Sequence, residues 1–282
     1  DPFGLCRANR QFTTTDTLTV VPATVPLPAI PVGGDWSGLG EARSRAVASA
    51  GEDDVIPREY RTGDDLRRVH WKSTARSGEL MVRREEHPWR TRATVYLDTR
   101  AGAHRGEGPA SSFEWAVSAA ASIACHLAAR GYAVRLVDAD GTVLRASGTA
   151  AEALSGAEAR GPLLDTLATV GFTEGDGPGL RDPAVRARVR DGLVVAVLGD
   201  LDVSAAEDIA SLRGGHASAL ALVLDTSGWA TRSTTPDDGR CTRVAALLAA
   251  AGWRVAVCGV QTDLVAAWQS LARAGVTAAG AR

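Results

Sequence analysis

The sequence predicts an α/β fold, a parallel sheet with helices on both faces preceded by a smaller β-rich region. Three observations carry this. Five apolar runs (ATVYLD, YAVRLVDADG, LVVAVLGD, SALALVLDT and WRVAVCGV) are spaced along residues 93–260. They are continuous rather than alternating, the pattern of strands buried on both faces. Helix-type segments separate them, which indicates βαβ units. With 45% hydrophobic residues over 282 positions, the chain can build a large core.

The elements follow in order. Residues 1–32 are expected to be a β-rich segment. TLTVVPATVPL is rich in β-branched residues, while prolines at 22, 26, 28 and 31 exclude a long helix and fit an edge strand followed by an extended linker. Residues 33–54 read as a flexible loop, with only weak helical patterning over 41–50. Residues 55–90 form a distinct charged region. The α/β domain is expected over 91–282, starting with the strand that ends in Asp98. A helix follows, with Ser111 or Ser112 as N-cap, Phe113, Val117, Ile123 and Leu127 on its apolar faces, and Gly131 as its stop. TVLRAS is expected to pair with the second strand across Asp140-Gly141. Further helices are expected near 150–170, 204–213, 240–251 and 263–274.

Composition narrows the function classes. A net charge of -2 and a pI near 6.3 argue against a nucleic-acid partner. Cys6, Cys125, Cys241 and Cys258 form no CxxC pair and no metal spacing, and Cys125 and Cys258 are expected to be buried thiols. There is no run of about 18 apolar residues that would span a membrane. The opening Asp1-Pro2-Phe3-Gly4-Leu5 reads as the interior of a longer sequence.

Four strands end in acids: Asp98, Asp138, Asp200 and Asp225. Brought together they would suit a hard cation. The competing and favoured reading is turn formation and helix capping, where Asp is equally at home. No phosphate-binding GxxxxGK[ST] loop and no GxSxG elbow occurs, and the five histidines lack metal spacing.

The most distinctive stretch lies between 55 and 86. It holds eight basic residues (Arg58, Arg61, Arg67, Arg68, Lys72, Arg76, Arg83 and Arg84) and six acids (Glu59, Asp64, Asp65, Glu79, Glu85 and Glu86). Gly63 turns the chain, Asp64 caps a short helix, Gly78 ends it, and strands flank it. Two readings stand side by side. The arginines and Trp71 form a docking surface for partner carboxylates, or the charges satisfy one another internally with Trp71 buried.

The order Arg58-Glu59-Tyr60-Arg61-x-Gly63-Asp64-Asp65-x-Arg67-x-x-x-Trp71-Lys72-x-x-Ala75-Arg76-x-Gly78-x-Leu80 resembles the signature of domain-of-unknown-function family 58. The resemblance implies a von Willebrand factor A-like α/β domain after the signature. Metal-binding domains of that kind carry Asp-x-Ser-x-Ser after the first strand. Here the stretch is Asp98-Thr99-Arg100-Ala101-Gly102, so Asp98 is left as a degenerate candidate with no functional metal expected. The resemblance further implies two membrane helices before residue 1, a soluble region on the cytoplasmic side of the inner membrane, and a non-catalytic scaffold. Its implied partners are a MoxR-type AAA+ ATPase and other von Willebrand-domain proteins, with no cofactor. The site residues implied are Arg58, Glu59, Tyr60, Arg61, Gly63, Asp64, Arg67, Trp71, Lys72 and Arg76. The alternative is a metal-dependent ligand-binding or hydrolytic domain using the strand-end aspartates.

Overall fold

The computed structural model describes residues 18–31, 57–59, 74–76, 78–79, 81–83, 92–145, 153–175, 179–190, 192–213, 218–229 and 239–274. Its centre is a six-stranded sheet. The strands are β3 (Arg92–Leu97), β4 (Ala133–Val137), β5 (Val143–Leu144), β6 (Leu193–Leu198), β7 (Ala219–Leu224) and β8 (Arg254–Cys258), in the spatial order β5-β4-β3-β6-β7-β8. All neighbours are parallel except β5, which runs antiparallel to β4. The expected hairpin therefore forms, and Gly141 makes its turn possible with a φ of +79°. β6 and β7 are buried at every position, as their unbroken apolar runs require.

The pleat divides the strands between two cores. Val95, Leu97, Leu136, Val195, Val197, Leu220 and Leu222 face one side with α1 (Ser112–Ala129), α2 (Arg160–Ala168) and α6 (Leu264–Ala274). Tyr96, Val137, Val194, Ala196, Leu198, Ala221 and Val223 face the other with α3 (Pro183–Val189), α4 (Val203–Ala210) and α5 (Arg240–Ala250). This is the expected α/β architecture with helices on both faces, and it is consistent with a von Willebrand factor A-like domain. Each fully buried Leu or Val contributes about 1.5–3 kcal/mol.

α1 shows how sequence sets the packing. Ser111, not Ser112, is its N-cap, accepting from the Glu114 amide. Ala116, Ala119, Ala120 and Ala124 are fully buried, so small side chains let this helix lie close on the sheet. The helix ends where Gly131 takes a φ of +86°. α3 was not anticipated from sequence. It is one short arginine-bearing segment started by Asp182, whose side chain accepts from the Ala184 amide, and by Pro183.

Two local expectations differ. Residues 18–31 form no strand. The prolines that remove ladder donors also leave the segment unpaired, and it lies as a strap with Leu27 and Ile30 buried in the α1/α6 core. Cys125 is half-buried rather than buried, whereas Cys258 is buried and its thiol is pushed up to about 12, chiefly by burial. Of the charged region, β1 (Pro57–Glu59) pairs antiparallel with β2 (Met81–Arg83), and residues 74–76 are helical. The amide of Gly78 closes onto the carbonyl of Thr74 at 3.0 Å, with a φ of +76°. The loop expected over 33–54 lies outside the described residues.

Candidate functional site

Strand order locates the place to look. The chain leaves β3 for β4 on one side and later returns to β6 on the other. The loops after β3 and β6 therefore diverge, and at such a switch point ligands of open α/β sheets bind beyond the carboxyl ends of the strands. Asp98, Thr99 and Arg100 follow β3 there, and Gly199 and Asp200 follow β6.

Asp98 is completely buried, and Arg100 is 7% exposed. Two residues apart, they form a forked ion pair: Arg100 Nε donates to Asp98 Oδ1 at 2.9 Å and a terminal guanidinium nitrogen to Oδ2 at 2.7 Å. The Arg100 amide adds a bond to Oδ1 at 3.2 Å, and the Gly199 amide one to Oδ2 at 3.1 Å. Each carboxylate oxygen thus accepts two hydrogen bonds, which fills the roughly four lone-pair positions of the group. The same guanidinium nitrogen reaches the Asp200 carbonyl at 3.2 Å and so ties the β3 end to the β6 end. Burial works to lower the Arg100 pKa, but the hydrogen bond and charge of Asp98 outweigh it and leave the pKa raised. Gly199 is required by packing, because a Cβ there would run into the Ala103 carbonyl.

A divalent cation does not fit this carboxylate. Both oxygens are engaged, and a fixed positive charge already stands beside them. Arg100 in place of the first serine of Asp-x-Ser-x-Ser is thus the residue that fills the position. Among the described residues no group of three or more His, Cys, Asp or Glu side chains could hold a metal ion.

Around the pair lies a second network. His104 Nε2 is 2.7 Å from the Asp98 carbonyl, and Nδ1 is 3.2 Å from Ser112 Oγ, which also accepts from the Arg105 amide at 2.9 Å. A consistent assignment has Nε2 donating to the carbonyl and Nδ1 accepting from the serine hydroxyl, which describes a neutral imidazole. Burial lowers the pKa of His104 and favours the same form. His104 and Ser112 are both buried, so this pair fixes the loop 98–112 rather than presenting a nucleophile. Phe113 packs edge-on to His104 at 5.2 Å and against Phe172 at 4.3 Å, and Phe172 remains 54% exposed. On the β4 side the Thr99 hydroxyl accepts from the Ala139 amide at 3.1 Å and meets the Thr173 hydroxyl at 3.2 Å.

The other strand-end acids do not join Asp98. Asp138 accepts from the Thr142 amide in the hairpin turn, and burial raises its pKa. Asp200 pairs at the surface with Arg240 at 3.2 Å and Arg105 at 3.8 Å. Asp225 accepts from the Ser227 amide and hydroxyl. Turn formation is the use made of Asp138 and Asp225, and the aspartates that cap helices are Asp182, Asp202 and Asp263 instead.

Of the signature residues, Arg58 and Glu59 lie on β1 opposite Val82 and Met81, and Arg76 is exposed in the helical turn. Tyr60, Arg61, Gly63, Asp64, Arg67, Trp71 and Lys72 lie outside the described residues. The sequence reading missed His104, Ser112, Gly199, Arg240 and Phe172. Only His104 and Ser112 carried a signal, both falling within the loop and helix start that follow the Asp98 strand.

No curated protein and no solved structure gives a match to the chain. The model of the family described as "Protein of unknown function DUF58" matches residues 57–241, more than half of the sequence and a span that includes both the charged region and the strand-end cluster. The chain belongs to that family of unknown function.

Proposed function

We propose that the chain is a non-catalytic scaffold or adaptor, the soluble part of a membrane-anchored protein that works with a MoxR-type AAA+ ATPase. Its setting in this reading is the cytoplasmic side of the inner membrane, in complex assembly or cell-envelope processes. Other von Willebrand-domain proteins are further candidate partners. One observation carries the scaffold part: the acid at the switch point is saturated by Arg100 and the Gly199 amide. An enzyme needs a group there whose hydrogen-bonding or proton-transfer capacity is open to substrate. A rigid face that is already satisfied suits recognition. Membrane anchoring and the ATPase rest on the family resemblance and the charged signature.

The test is a binding titration of the chain against the MoxR-type ATPase encoded nearest to it, with and without ATP. Saturable, nucleotide-dependent binding that Lys72→Ala weakens without loss of folding is the expected result. No binding up to about millimolar concentration, an association free energy near -4 kcal/mol, would sink the ATPase partnership. Turnover of a hydrolysable substrate panel that Asp98→Asn abolishes without unfolding the chain would sink the non-catalytic reading.

A further inference from the structure

The strap 18–31 is held in a way that secondary structure does not explain. Val21, Val25, Leu27 and Ile30 each precede a proline, and Pro22, Pro26, Pro28 and Pro31 fix their own φ. Eight positions between 21 and 31 are therefore biased toward extended backbone before any contact forms. A segment of this kind loses little entropy on docking.

The domain grips it through side chains on four elements. Trp268 on α6 donates its indole N–H to the Pro28 carbonyl at 2.9 Å, and Arg254 on β8 donates to the Pro31 carbonyl at 2.6 Å. His126 on α1 packs edge-on to Trp268 at 5.8 Å. Ser122 accepts from the Val25 amide at 3.0 Å, and Arg160 on α2 reaches the Thr24 hydroxyl at 2.8 Å. Between these polar contacts Leu27 and Ile30 insert their side chains, 9% and 8% exposed. Indole and guanidinium donors reading proline carbonyls, with two buried apolar anchors, form the pattern by which grooves recognise extended proline-rich peptides. The strap joins no sheet ladder, so its release leaves every strand pair intact.

We infer that the α1/α6 face is a recognition groove for extended, proline-spaced apolar peptides. In the described chain residues 24–31 fill it in cis, and the same segment of a second copy is its ligand in trans. This inference is independent of the ATPase partnership.

The probe is a fluorescently labelled peptide of residues 21–32, titrated by anisotropy into three forms of the full chain. Wild type is expected to bind weakly, because the tethered strap competes at a high effective concentration. Leu27→Ser with Ile30→Ser, which loosens the cis strap, is expected to bind saturably. Adding Trp268→Phe to that variant removes the indole donor and is expected to weaken binding by about threefold to tenfold, the equivalent of one net hydrogen bond. A peptide carrying both serines is expected not to bind. A loosened variant that keeps its circular dichroism and cooperative melt yet fails to bind the wild-type peptide overturns the inference. If the variant does not fold, hydrogen exchange on the wild-type chain decides. The Val25 amide exchanging well before the α1 amides supports a releasable strap, and exchange of both only on global unfolding overturns it.

Discussion

The β3 corner and the strap are both irregular segments packed on one domain, yet they are held by opposite means. At the corner, Asp98 and Arg100 are two residues apart, both buried, and saturate each other. The strap depends on contacts across 97 to 240 residues, mostly between a side chain and a backbone atom. A local buried ion pair makes a rigid corner in which neither member is replaceable alone. A set of remote single hydrogen bonds is expected to open by parts. On that expectation the domain has one fixed face at its strand ends and one cover on its helices that the experiments above test for release.

The largest expected effect falls on the corner. Asp98→Ala leaves the Arg100 guanidinium buried without its counter-charge and is expected to cost about 3–5 kcal/mol, read from urea denaturation. The Asp98→Ala/Arg100→Ala double variant should cost less than the two single changes added together, with a coupling of about 1–3 kcal/mol. Additive costs would mean that the pair does not act as a unit. For the strap, Leu27→Ala is expected to cost about 2 kcal/mol, the low end for a buried leucine because the site lies at the domain edge. That loss should appear as faster exchange of strap amides, with α1 protection barely changed. A uniform loss of protection would erase the distinction between corner and clasp.

The pH response is a smaller effect and belongs to the corner. Burial depresses the His104 pKa below its usual 6.5, so the unfolded chain binds more protons than the folded one near that pH. Stability is fully present above about 6.5 and falls as pH drops toward the depressed value. Melting temperature should therefore decline from pH 7 to pH 5, and His104→Gln should flatten part of that slope. His126 acts in the same direction, since burial depresses it as well. Asp138 acts in the opposite direction at lower pH, because its raised pKa favours the folded state as the carboxyl takes up its proton. An unchanged slope in His104→Gln would mean that the histidine is not held neutral by its surroundings.

Much of the fold was legible because it rests on local pattern. Unbroken apolar runs marked β6 and β7, and Asp140-Gly141 marked the hairpin. α3 was not legible, since seven residues with two arginines among them give no helical stripe. The corner was half legible: Arg100 two residues after Asp98 announced a positive charge at a cation position. The Gly199 and Asp200 contacts that complete it lie about a hundred residues away and carry no sequence mark. The strap was misread as an edge strand because β-branched residues favour strands locally. What it packs against depends on Trp268, more than two hundred residues on, which no local pattern reveals.

Divalent-ion titration of the wild-type chain probes the saturated carboxylate without any substitution. Calorimetry with Mg²⁺ and Mn²⁺ is expected to show no saturable heat, because Arg100 and the Gly199 amide already occupy both oxygens of Asp98. Stoichiometric binding by the wild type that Asp98→Asn abolishes would contradict this, and would show that the guanidinium yields its place to a metal ion.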